Sequence, residues 1–406
     1  MKRKTYMKIQ SGSKFLLILI LVVILLVGAA GVTFYAIHNT TSTTELQELQ
    51  SMGLVDFVTL SNGKKMNVAV KGASQPKHTM ITIAGMGYAD YGVYMDNITQ
   101  SLQQENRLVI VDRLGTGYSD DTDAERSVTA IVEEYRTALQ LKSINAPYVL
   151  LAHEIGAVYA TQWQALYPNE IEGIVYIDPN PIDNNYAGIK LNEYAQLLSL
   201  GAKVGVQRVL YDKLYTPESV RIPNNYALAS RHFNFHSVYT TAYMNEVQNA
   251  VKNFATVMDA VQTTNIPKMY INSSYAFETT TEALEYVDYM NAQARSVGQE
   301  KVYPIAEVAA DGLVTQSQSM SEKINAYVQK LGACHLVKMP GGPSVYEQHH
   351  GVVESAVVDF INYLDGNVAS LKNRYVDKIL DEWQQKQEQE QQTEVTEPLT
   401  ETESQS

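Results

Sequence analysis

The chain has 406 residues and a formal net charge of -13, with one cysteine. The acidity disfavours nucleic acid as a partner, since phosphate contacts need clustered Lys and Arg. A single thiol, Cys334, excludes an intramolecular disulfide, and its strand-like surroundings read as those of a small buried apolar residue.

Residues 1–14 form a basic segment carrying Lys2, Arg3, Lys4, Lys8 and Lys14 and no acid. Phe15 to Ile37 is an uncharged run, "FLLILILVVILLVGAAGVTFYAI". A helix of about 20 apolar residues crosses a bilayer core. Positive charge stays on the cytoplasmic side, so the run predicts a single-pass anchor with a cytoplasmic N-terminus and everything after it outside the cytoplasm. A cleaved signal peptide is the alternative, with Gly28 to Gly31 as small residues. Polar residues 38–54 then predict a stalk.

From residue 55 to 366 the pattern is that of one α/β domain. Two alternating runs flank Asn62-Gly63, a hairpin signal. Next come the apolar run "TMITIAG", a helix over 91–104, the strand "RLVIVD", a helix over 128–142, "YVLLAH", a helix over 155–167, and "GIVYID" ending at Asp178. Short uniformly apolar strands between amphipathic helices predict a mostly parallel sheet covered on both faces. The strand rhythm then stops, and residues 183–263 read as a helical insertion rich in tyrosine: Tyr186, Tyr194, Tyr211, Tyr215, Tyr226, Tyr239 and Tyr243. It resumes at "IPKMYINS", with helices over 281–296 and 317–331, the strand "HLVKMP" and a helix over 345–364. Residues 367–390 carry Leu371, Tyr375, Ile379 and Trp383 on one helical stripe. Residues 391–406 are acidic, polar and expected to be disordered.

Three stretches fall at strand ends in a telling order: "IAGMG" (83–87), "DRLGTGYSD" (112–120) and "AHEIG" (152–156). Together they resemble the α/β-hydrolase fold family. The resemblance implies a nucleophile elbow at 152–156, in which a tight strand-to-helix turn strains the backbone at its tip, and small residues two before and two after let strand and helix approach. Ala152 and Gly156 meet that demand, but the tip, usually serine, is Glu154. The resemblance places the oxyanion donors on the backbone N–H groups of Met86 and Ile155, beside Gly85. It also places the insertion as a cap over the pocket, with Glu154 at its floor.

The family histidine lies in a G-G-H-x-x-x-x-E-Q pattern, and here "PGGPSVYEQHH" puts Pro343 at that position. Proline cannot move a proton. His349 and His350 follow and are the alternative bases, if they point back into the site. The orienting acid is expected near Ser274 and Tyr275, where no carboxylate stands; Asp178, at the end of strand six, is the candidate acid, against a plain turn role for its Asp-Pro. Nucleophile, base and acid positions thus all depart from the pattern, and triad members act as a unit. The expectation is a catalytically inactive, membrane-anchored relative that binds or scaffolds an unknown small molecule or protein. The alternative is an active ester or amide hydrolase that uses Glu154 as a carboxylate nucleophile with a relocated histidine. No cofactor and no metal are expected.

Overall fold

The computed structural model describes residues 2–88, 90–180, 190–191, 193–206, 208, 239–296 and 300–371, with side chains from Lys14 onward. Helix α1 spans Lys2–Ser51 without a break. The strands are β1 Phe57–Thr59, β2 Lys65–Gly72, β3 Thr79–Ile83, β4 Arg107–Asp112, β5 Tyr148–His153, β6 Ile171–Ile177, β7 Thr264–Asn272 and β8 Gly332–Lys338. The helices between and after them are α2 Tyr91–Ile98, α3 Val128–Leu141, α4 Gly156–Leu166, α5 Ala195–Lys203, α6 Thr241–Ala260, α7 Thr280–Ser296, α8 Ala306–Leu331, α9 Val345–Gln348 and α10 His350–Leu364.

One sheet of eight strands runs in the order β1-β2-β4-β3-β5-β6-β7-β8. β1, β2 and β4 pair antiparallel, and β3 to β8 run parallel. Side chains alternate along each strand, so every strand feeds two cores. In β5, Leu150 and Ala152 join the core under α3, α4, α6 and α8, while Val149 and Leu151 join that under α2 and α10. This is the α/β-hydrolase fold, with helices on both faces as the sequence predicts. Because β4 lies on one side of β3 and β5 on the other, the chain reverses its direction of travel there. The crevice beyond the carboxyl ends of β3 and β5 is where open α/β sheets bind ligands, and it is where the Gly85 loop and Glu154 meet.

Four sequence expectations change in detail. The predicted helix over 91–104 stops at Ile98, a short 3-10 turn filling Gln100–Leu102. The helix expected at 317–331 starts earlier, at Ala306, and the single helix expected over 345–364 breaks at His349. The stalk is not merely a polar spacer: α1 continues through it, and His38, Ser42, Glu45 and Leu49, spaced to share one helix face, are buried against the domain. Phe15 to Ile37 lies within a helix long and apolar enough to cross a membrane, with an 18-residue window of mean hydropathy 3.3. Of the helical insertion, α5 and α6 are described, but Tyr186, Tyr211, Tyr215 and Tyr226 lie outside the described residues. So do most of the predicted helix 367–390 and the tail 391–406.

Candidate active-site pocket

β5 ends at His153, and Glu154 follows with φ +51°, the left-handed region that side chains with a Cβ avoid. Its N–H bonds the Ile177 carbonyl of β6, and its own carbonyl accepts from Ala157 at the start of α4. Sheet and helix therefore hold the tip from both sides. Gly156 is required two residues on: a Cβ there would stand 2.3 Å from the Ile83 carbonyl oxygen. The strained elbow implied by the resemblance is fully built.

The Glu154 side chain curls back on it. Oε2 accepts from the Met86 N–H at 3.0 Å, so the carboxylate sits on one of the two donors that the resemblance reserves for an oxyanion. The approach is close enough to require glycine at 85, where a Cβ would lie 2.6 Å from Oε2 and 2.9 Å from the His153 Nδ1. Burial pushes the Glu154 carboxyl up to about 7. The Met86 N–H and the Asn180 side chain pull it back, the Asp178 charge adds to the push, and Arg113 opposes it.

Among the described residues, no histidine hydrogen-bonds to Glu154. His153, its sequence neighbour, is fully buried, and its Nδ1 faces the same point of the Gly85 loop as the Glu154 Oε2. Its ring stacks on Tyr91 at 5.2 Å and meets Tyr88 and Tyr346 edge-on at 4.6 and 5.1 Å. Burial holds it down at about 4, so it is neutral at ordinary pH. Nε2 lies 2.8 Å from the Pro343 carbonyl oxygen, which can only accept, so Nε2 carries the proton. The loop that should bring a histidine to the elbow is instead fastened by a histidine from the elbow. Next to Pro343, the Tyr286 hydroxyl of α7 packs on Gly342, 2.6 Å from where a Cβ would be. His349 breaks the last helix, its carbonyl accepting from Val352 and Val353, and the His350 Nε2 is buried without a hydrogen-bond partner among the described residues.

Asp178 has φ +42° and is buried at the end of β6. Its carboxylate accepts from the Ser273 and Ser274 N–H groups at 2.9 and 2.7 Å and from the Ser274 hydroxyl at 2.5 Å. Burial raises it to about 6 against those bonds. A carboxylate from the neighbouring strand thus lies against Ser273 and Ser274, where the sequence itself has none.

Sequence reasoning gave Arg113 and Glu246 no role. The fully buried Arg113 guanidinium donates to the Ala84 and Gly85 carbonyls at 2.9 and 3.2 Å and to Glu246 of α6 at 2.7 to 3.1 Å. The Tyr159 hydroxyl donates to the same carboxylate at 2.5 Å. The Gly85 loop, the elbow helix and the insertion are thereby joined through one ion pair. A signal existed: Glu246 sits on the buried stripe Ala242, Val247, Ala250 and Phe254, where a lone carboxylate needs a cation. Tyr88 and Tyr243 both feel the Glu154 charge and stand near it. Among the described residues no His, Cys, Asp and Glu cluster could hold a metal ion.

No family model matches the chain. An uncharacterized protein of Bacillus subtilis, YbdG, is 30% identical over 212 residues, 51% of this chain and 63% of that one. The human (lyso)-N-acylphosphatidylethanolamine lipase is 28% identical over 142 residues, 33% of this chain and 40% of that one. The matches thus span less than two thirds of either relative. Among solved structures, a probable hydrolytic enzyme from Pseudomonas aeruginosa covers 75% of this chain and 93% of its own at 15% identity and a TM-score of 0.50. An epoxide hydrolase covers 76% and 99% at 13% identity and the same score. At such identities the likeness establishes the fold.

Proposed function

From an α/β-hydrolase fold whose elbow carries a glutamate, we propose a membrane-anchored, catalytically inactive protein that binds a ligand in the former catalytic pocket. It sits outside the cytoplasm on a single N-terminal span. The observation that carries this reading is the Glu154–Met86 hydrogen bond. In acyl transfer the nucleophile attacks carbon while the N–H donors hold the developing oxyanion, so the two must engage different atoms. Glutamate has one methylene more than aspartate, and here its carboxylate occupies the donor itself. Pro343 provides no base, and the nearby His153 is neutral and donates its proton to a backbone carbonyl. A ligand group able to compete with the Met86 N–H for Glu154 is a hydrogen-bond donor or a cation.

The second reading, an ester or amide hydrolase acting through Glu154, draws support from Asp178, which stands buried and hydrogen-bonded where an orienting acid belongs. Turnover of a panel of short-chain activated esters by the full chain and by Glu154→Gln separates the two. The binding protein gives equal background rates in both. Turnover abolished by the substitution establishes the hydrolase.

A further inference from the structure

Helix α5 is built inside out. Ala195, Ser199 and Ala202, all small, face the protein, while Leu197, Leu198 and Leu200 face outward, Leu197 with 66% of its surface exposed. Tyr194 before the helix and Val206 after it extend the exposed apolar face. A water-facing helix has the opposite arrangement. The patch is also tied to the end of the apolar span. Gly205 backs onto His38, the residue after Ile37, so closely that a Cβ would stand 2.5 Å from the His38 Cβ. Arg208 then grips the next turns of α1, donating to both Glu45 oxygens at 2.7 and 2.8 Å and to the Ser42 hydroxyl at 2.8 Å.

We propose that α5 lies in the interface of a phospholipid bilayer, its leucines against the acyl boundary, so that the membrane covers part of the insertion. This rests on Phe15–Ile37 being a membrane anchor. Given that anchor, His38 is level with the edge of the hydrocarbon, and Leu197 is eight residues from Gly205, about 12 Å of helical rise. Interfacial helices sink roughly 5–10 Å into the headgroup and acyl boundary, so α5 is within reach. Lys203, exposed in its last turn, can lay its stem along the apolar surface with the ammonium at the phosphates. The continuity of α5 with the span selects lipid over a second protein as its cover.

The test uses the full chain with Cys334→Ala, reconstituted in phosphatidylcholine vesicles. An environment-sensitive fluorophore is placed by Leu21→Cys, Leu197→Cys or Leu200→Cys, with and without doxyl-labelled lipid. Blue-shifted emission at 197 and 200, lost on adding doxyl lipid, supports interfacial docking. Quenching at 21 but not at 197 or 200 overturns it and leaves the anchor standing. A blue shift at 197 without lipid quenching means that a second copy covers α5, which also overturns it. No quenching at any of the three sites removes both anchor and docking.

Discussion

Glu154 is the residue on which the chemistry turns, and its titration can be isolated. Its folded carboxyl, near 7, lies above the ordinary 4.5. The folded chain therefore holds that proton more tightly than the unfolded chain. The resulting stability is full below about pH 4.5 and is lost as the pH rises to about 7. Glu154→Gln cannot titrate, so the difference in unfolding free energy between wild type and variant should drift against wild type by on the order of 3 kcal/mol across that window. Urea unfolding at half-unit pH steps checks the drift, and a constant difference contradicts it. His153 has the opposite sign, costing stability as the pH falls from 6.5 toward 4, and it cancels in the comparison. The identity of the tip residue was legible from "AHEIG", and so was the proline at the position where the resemblance expects a histidine, Pro343. The direction of the Glu154 side chain was not, because curling back or pointing into the pocket depends on a rotamer and on the proximity of the Gly85 loop. Nor was the role of His153, whose partner is a backbone carbonyl 190 residues away.

At the scale of elements, the site is held by strand ends that sequence patterning located well. The short apolar runs became β3 to β8 and the small residues around position 154 became the elbow, while helix limits moved and the last predicted helix broke at His349. What the pattern missed was the tie between elements. Arg113 at the end of β4 and Glu246 on α6 are 133 residues apart and each buried, and a single sequence pairs neither with the other. Removing one partner leaves a bare buried charge. Arg113→Met should cost about 3–5 kcal/mol, whereas Arg113→Met with Glu246→Leu should recover most of the loss. Denaturant unfolding of the two single variants and the double variant measures it, and strict additivity contradicts the pairing. Gly156→Ala forces a methyl group onto the Ile83 carbonyl, which is backbone and cannot rotate aside. The expected cost is at least about 2 kcal/mol by the same measurement, and a neutral variant refutes the close approach.

At the scale of the whole molecule, α1 is both the long apolar helix and a packed part of the domain. The run Phe15 to Ile37 announced itself by length and lack of charge. The docking of the turns after it did not, since His38, Ser42, Glu45 and Leu49 read as part of a polar stalk and gain meaning only against the insertion. Glu45 makes paired bonds with Arg208, so Glu45→Ala should free the insertion from α1 at a cost of about 1 kcal/mol. Hydrogen exchange should then speed up in residues 195–203 while β5 and β6 keep their protection. Unchanged exchange in α5 contradicts a mechanical link from α1 to the insertion.

The Glu154 carboxylate occupies the Met86 donor. The Met86 amide nitrogen and proton shifts, followed by NMR between pH 5 and 9, read it directly. A titration with its midpoint near 7 that disappears in Glu154→Gln is the expected result. A Met86 amide indifferent to pH, or one that titrates equally in the variant, contradicts it.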